Sequence, residues 1–285
     1  MNFLDFCRSH GIIINEIPEI GVWKRYRTED HPRKKNGAVK FLGTHGFVQN
    51  HAMSAVVSVW KPDSLDRLSL PDARALVISQ ARADQERKKL QTAAVAKAVA
   101  LLNDSDMRQH EYFKAKGFPD EIGHVLDMDN VPVLLIPMRC GMSLVGLQQI
   151  WPNGTKKFLY GQKSAGATFN FDNKGMNIVC EGYATALSIR AAMKQLKKRY
   201  NIHVCFSAGN MIRVAGGLET GLIVVDNDES GTGQRAAAEI GWPVWMSDRV
   251  GEDANDYHRR VGLFAFSQSL TQSMLGEGSG WHCQG

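Results

Sequence analysis

Two short apolar runs, each ending abruptly in acid, constrain this chain more than any other feature. The first is Ile178-Val179-Cys180 followed by Glu181-Gly182, and the second is Leu222-Ile223-Val224-Val225 followed by Asp226-Asn227-Asp228. Continuous runs of this length read as strands buried on both faces of a parallel sheet. Their carboxylates then lie at strand C-terminal ends, where open α/β sheets place their sites. Side chains alternate along an extended segment, so Asp226 and Asp228 are expected on the same side. Like charges so placed repel unless a cation lies between them. An all-oxygen donor set suits a hard ion, Mg²⁺ or Mn²⁺. Glu181 from the neighbouring strand would complete the cluster, with Gly182 permitting a sharp turn into the next helix. Such a centre can hold a phosphate, activate an oxygen nucleophile and neutralise a leaving group.

A third acidic element, Glu252-Asp253-Ala254-Asn255-Asp256, follows in order. Together the three resemble the Toprim domain of bacterial-type primases, topoisomerases, OLD-type nucleases and RecR-like repair proteins. The resemblance implies that Glu181, Asp226 and Asp228 are catalytic. It also implies that Asp253 and Asp256 join them as metal ligands. Chromosomal primases carry a further acid four positions after the glutamate. That position is Thr185 here, as in the plasmid and phage branch, so Thr185 is not counted as a ligand.

Between the acidic motifs the pattern is helix and strand in alternation. A helix over Ala184–Tyr200 seats Ile189, Met193, Leu196 and Tyr200 on the sheet, with Lys194, Lys197, Lys198 and Arg199 on its other face. Strands are expected at 203–206 and 244–246 and a helix at 234–240. Alternation of this kind predicts a parallel α/β sheet. After 203–206, the small residues Ser207-Ala208-Gly209-Asn210 would let backbone approach a ligand.

Upstream, residues 105–173 predict an α+β unit with a hairpin formed by 131–138 and 143–150. It is followed by Lys156-Lys157-Phe158-Leu159-Tyr160 and Lys163. This region is similar to the basic subdomain of primases that holds template and nucleotide. The resemblance implies that role for Lys157 first, then Lys156, Arg139 and Lys163, with Asn210 beside them. Residues 63–104 read as a helical linker, with a capping pattern at Ser69 and Asp72 and Pro71 in the first turn. Its middle is too polar for burial, and thirty continuous residues would span about 45 Å.

Residues 1–62 predict a short helix and a small β-rich domain with a basic hairpin. Lys24, Arg25, Arg27, Arg33, Lys34 and Lys35, interleaved with Tyr26, Phe41, Phe47 and Trp60, could track phosphates and stack bases. A plain β core with a solvated charged turn fits the same residues. The segment also resembles the N-terminal part of plasmid-conjugation and phage primases at Thr28-Glu29-Asp30-His31-Pro32, Lys34-Lys35-Asn36-Gly37-Ala38, Gly46-Phe47-Val48-Gln49-Asn50-His51 and Trp60-Lys61. Chromosomal primases have a zinc ribbon here. This chain lacks its cysteine pairs, so no zinc is expected. Residues 263–285 are expected to be a flexible tail, with Trp281 available to a partner.

The resemblance therefore implies a DNA primase: Mg²⁺- or Mn²⁺-dependent joining of ribonucleoside triphosphates on a single-stranded DNA template. A Toprim nuclease and a non-enzymatic single-strand-binding module remain open. A topoisomerase would need gate and tyrosine modules that 285 residues hardly accommodate. The net charge of +5 and pI near 8.9 accord with a nucleic-acid partner. No phosphate-binding loop of a helicase motor is present, so a separate helicase is an optional partner. Scattered cysteines, no secretory leader and no long apolar run predict a reduced protein in the cytoplasm of a bacterial host, away from membranes.

Overall fold

In a computed structural model the described residues are 1–53, 56–61 and 70–276, with the backbone alone for 70–77 and 79–80. The capping residue Ser69, the side chains of Pro71 and Asp72, and the tail from 277 with Trp281 lie outside them.

The chain divides into two units, Met1–Lys89 and Leu90–Gly285. In the first, helix α1 (Phe3–Ser9) precedes an antiparallel sheet of β1 (Lys24–Tyr26), β2 (Gly37–Phe41), β3 (Gly46–Asn50) and β4 (Ser58–Trp60), in that order across the sheet. Its core is Phe3, Cys7, Ile12, Ile14, Val39 and Val48, with Phe41 and Trp60 packed against it. Burial there pushes the Cys7 thiol up to about 12, so it stays protonated. Helix α2 (Leu70–Asn103) runs through the division between the units. Residues 84–89 of α2 are exposed, whereas Ala94 and Ala98 are buried against Val133, Leu135, Leu147 and Leu159.

The second unit contains two five-stranded sheets. The first is antiparallel, built in sequence order from β5 (Asp106–Arg108), β6 (Gly123–Met128), β7 (Val131–Cys140), β8 (Ser143–Ile150) and β9 (Lys156–Phe158), with the short helix α3 (Glu111–Ala115) after β5. The chain then enters β10 (Phe169–Asp172), β11 (Met176–Cys180), α4 (Tyr183–Gln195), β12 (Tyr200–Val204), α5 (Ala208–Ala215), β13 (Gly221–Val225), α6 (Thr232–Ile240), β14 (Val244–Met246), α7 (Ala254–Val261) and α8 (Leu263–Met274). The second sheet runs β10-β12-β11-β13-β14. The expected parallel pairing holds for β12, β11, β13 and β14, while β10 adds an antiparallel edge. Every residue of β13 is buried, as a continuous apolar run requires. Paired amides of Arg139 and Thr168, each 2.8 Å from the other's carbonyl, link the two sheets.

Three expectations need correction. The helix after Glu181 ends at Gln195, and Tyr200 belongs to β12. Lys197 adopts φ 53°, a left-handed turn that stops the helix without glycine. Gly182 makes no sharp turn: at φ −103° and ψ 149° its backbone is extended and open to any residue. Residues 263–274 are not a flexible tail but form α8. Phe266 and Leu270 of α8 are fully buried, and the Trp245 indole donates to Ser269 Oγ at 2.8 Å.

Candidate active site

The register of the parallel sheet assembles the acids. Cys180 lies beside Val224, so Glu181 and Asp226 leave adjacent strands at the same sheet edge. Asn227 is turned inward, donating to the Ser247 carbonyl at 3.0 Å. Its backbone pairs with Glu252 in an isolated antiparallel bridge, which draws the third acidic element against the second. That element is stapled by Arg260, which binds both oxygens of Glu252 at 2.8 Å and also pairs with Asp248.

Asp226 is the focus of the cluster. Its Oδ1 is buried without a hydrogen-bond partner. Burial, and after it the charges of Asp253 and Glu181, push its carboxyl up to about 7, with Lys156 pulling the other way. Glu181 is also raised, by burial first and then by Asp228. The Lys156 ammonium and the Ala208 amide at the start of α5 oppose that shift. Glu181, Asp226, Asp228 and Asp253 therefore share one electrostatic field, with Lys156 as the cation facing it.

The carboxylates are not equally available. Asp228 Oδ1 accepts from Ser230 Oγ at 2.7 Å and from the Gly231 amide at 3.0 Å. Gly231 needs its left-handed φ of 63° to open α6. Asp253 Oδ1 caps α7 by accepting from the Asp256 amide at 2.8 Å, and its Oδ2 lies 4.0 Å from Lys116. Asp256 pairs with Lys116 at 3.8 Å and does not appear among the charges acting on Asp226 or Glu181. The structure does not bring it into the cluster, because the first turn of α7 directs it to Lys116. Among the described residues, no three carboxylate, imidazole or thiol groups stand close enough to chelate one ion in this side-chain arrangement. The donor set nonetheless fits a hard cation at Asp226 and Glu181: one orphaned buried oxygen and two raised carboxyls, while the neighbouring Cys180 and Cys205 thiols are kept protonated by burial.

The basic candidates separate. Lys156 and Lys157 are consecutive on β9 and point to opposite faces. Lys156 faces the carboxylates, whereas Lys157 sits over the Trp151 ring at 4.9 Å. Of the two, Lys156 is the one whose charge acts on Glu181 and Asp226. Lys163 is exposed in the loop after β9. Arg139 donates to the Met142 carbonyl and lines a cavity of about 370 Å³ with Thr168, Phe169 and Tyr183, a wall that includes none of the clustered acids. Asn210 is a clamp within the fold. Its Nδ2 donates to the carbonyls of Ala167 and Cys205 at 2.8 and 2.9 Å, and its Oδ1 accepts from Gly166 N–H at 2.7 Å. Both N–H groups of its amide are thus committed within the fold.

In the first unit Lys24, Arg25, Arg27, Arg33, Lys34 and Lys35 are all exposed, and Lys24 lies 3.9 Å from Glu16. Sequence reasoning missed Phe158 and Phe206, whose rings meet beside the cluster. Phe158 carried no sequence signal, because Lys156-Lys157-Phe158 shows no apolar alternation to set its face. None existed for Phe206.

The sequence matches no protein-family model and no curated protein. Among solved structures, the primase fragment of the bacteriophage T7 primase-helicase protein overlaps 57% of this chain and 68% of its own, at 17% identity and a TM-score of 0.38. That overlap is too loose to define the fold. No helix among the described residues is long and apolar enough to cross a membrane.

Proposed function

We propose that this chain is a metal-dependent nucleotidyl transferase of primase type, joining ribonucleoside triphosphates on a single-stranded DNA template. The observation that carries the reading is the buried, unpartnered Asp226 oxygen beside Glu181, with Lys156 opposite. A carboxylate held this way is destabilised until a cation arrives. Three acidic elements in Toprim order point to the same chemistry. Asp226 and Glu181 would hold Mg²⁺ or Mn²⁺, which when bound supplies positive charge to the triphosphate. Asp228 would join them by releasing the Ser230 turn, and Asp253 would act from the α7 cap without Asp256.

In the reaction, the 3′ oxygen of one nucleotide bonds to the α-phosphorus of the next, and the bond to pyrophosphate breaks. The hydroxyl proton passes to solvent water, since Glu181 is committed to the cation. Lys156 opposes the negative charge that builds on the triphosphate. The exposed basic residues of the first unit are candidates for holding template. A helicase, where one is used, would be a separate protein.

Purified chain, a labelled single strand and Mn²⁺ are incubated with and without ribonucleotides. New short oligoribonucleotides support the reading. Shortening of the strand without nucleotides would instead identify a Toprim nuclease, and neither product would favour a binding module. Within the same assay, Lys156→Met is expected to slow joining by roughly a hundredfold, the scale for losing one charge-stabilising donor. Lys157→Met should stay within about twofold, since exposed residues off the reacting face contribute little. Equal losses would show that the facing of β9 does not matter.

A further inference from the structure

The rim of the acidic cluster carries two aromatic rings that the proposed chemistry does not use. Phe158 ends β9, two residues after Lys156, so both side chains leave the same face of that strand. Phe158 remains 46% exposed. Its ring meets that of Phe206 edge to face, with centroids 6.1 Å apart and planes at 88°. Phe206 follows β12 and precedes α5, and its amide donates to the Glu181 carbonyl at 2.9 Å. It adopts φ 65°, a left-handed conformation rare for an aromatic residue. Backbone strain of this kind persists where surrounding structure enforces it, and it concentrates at functional sites.

These observations combine a flat apolar surface, one ammonium and a cation-seeking acid pair. A ligand that satisfies all three has a planar π-system and a polyphosphate or phosphodiester. We infer that Phe158, supported edge-on by Phe206, is a stacking platform for a nucleobase whose phosphates reach Lys156 and the carboxylates. The inference rests on the nucleotide-handling reading of the acidic cluster and adds to it the surface that recognises the base. An aromatic platform of this kind is tolerant of sequence, because every base presents a π-face. The base belongs either to the incoming nucleotide or to the template strand.

The test is a binding experiment on the full chain. Phe158→Trp places a fluorescent ring at the platform, read as the difference from the wild-type protein. It is titrated with ATP, a single-stranded DNA oligonucleotide, the same strand made abasic, and inorganic tripolyphosphate. Quenching by ATP alone assigns the platform to the incoming nucleotide, quenching by the base-bearing strand alone assigns it to the template, and quenching by both assigns it to either base. The abasic strand and tripolyphosphate should leave the signal unchanged. Equal quenching by the abasic strand or by tripolyphosphate, or no quenching by any ligand, would overturn the platform.

As a second arm, Phe158→Ala should weaken the base-bearing ligand by about tenfold or more, the scale of one stacked base. It should leave tripolyphosphate affinity unchanged, and Phe158→Tyr should restore base binding. Unchanged base affinity in Phe158→Ala would overturn the inference while leaving RNA synthesis intact. Base-dependent quenching in a protein that joins no nucleotides would instead remove the synthetic reading and leave the platform standing.

Discussion

Asp226→Asn is expected to abolish nucleotide joining, by a thousandfold or more on the scale of lost metal and charge stabilisation, and to make the metal-free protein more stable. Both follow from one observation. The Asp226 carboxyl is pushed from 3.8 to about 7, chiefly by burial and then by Asp253 and Glu181. With the folded value above the unfolded one, the folded state binds the extra proton. The stabilising effect is complete below pH 4 and is lost as pH rises through about 7. At pH 8 the ionised carboxylate therefore opposes folding, by roughly 4 kcal/mol at most. Asparagine carries no such charge, so the gain in melting temperature over wild type should be larger at pH 8 than at pH 5.

Three partly desolvated histidines act in the opposite sense. Burial lowers the values of His51, His203 and His258, so each favours the fold as pH rises past its ordinary range. They are common to both proteins and cancel in the difference. Activity at fixed metal should fall as pH drops below about 7 and recover with more Mn²⁺, because proton and cation compete for Asp226. Melting curves of metal-free wild type and Asp226→Asn at two pH values check the stability claim. A variant less stable at pH 8 would contradict it.

Asn210→Ala is expected to destabilise the second unit by about 3 kcal/mol, since it strands an amide and two carbonyls in a buried place. Asn210 ties the loop at Gly166 and Ala167 to the turn at Cys205, and is 8% exposed. That loop precedes β10, and the turn precedes Phe206 and the Ala208 amide that supports Glu181. Loss of the clamp should therefore lower the melting temperature by several degrees, and lower the rate once Glu181 is no longer positioned. The Michaelis constant for nucleotide should stay unchanged at temperatures where the variant is folded. A raised constant with an unaltered melting temperature would return Asn210 to the nucleotide site.

Local pattern made the centre of the molecule legible. The apolar runs of β11 and β13 could only be buried strands, and their terminal acids had to share a sheet edge. What escaped depended on contacts distant in sequence. Asn210 reads as a polar residue near a ligand because two of its three partners lie more than forty residues upstream. Lys156 and Lys157 are both exposed, so the sequence holds no burial alternation to say which faces the acids; register with β8 decides it. Lys197 ends α4 in a conformation that sequence normally marks with glycine. β10 is four residues of alternating burial at an edge, too short to stand out. α8 was available in principle, since Phe266, Leu270 and Met274 recur at helical spacing.

Calorimetric titration with Mn²⁺ at pH 7 tests the central claim most directly. Wild-type protein should bind with release of part of a proton, because Asp226 is near half-protonated there and must ionise to ligate. Asp226→Asn should lose both the binding and the proton release. Undiminished binding by that variant, or no binding by the wild type, would contradict a cation site at the ends of β11 and β13.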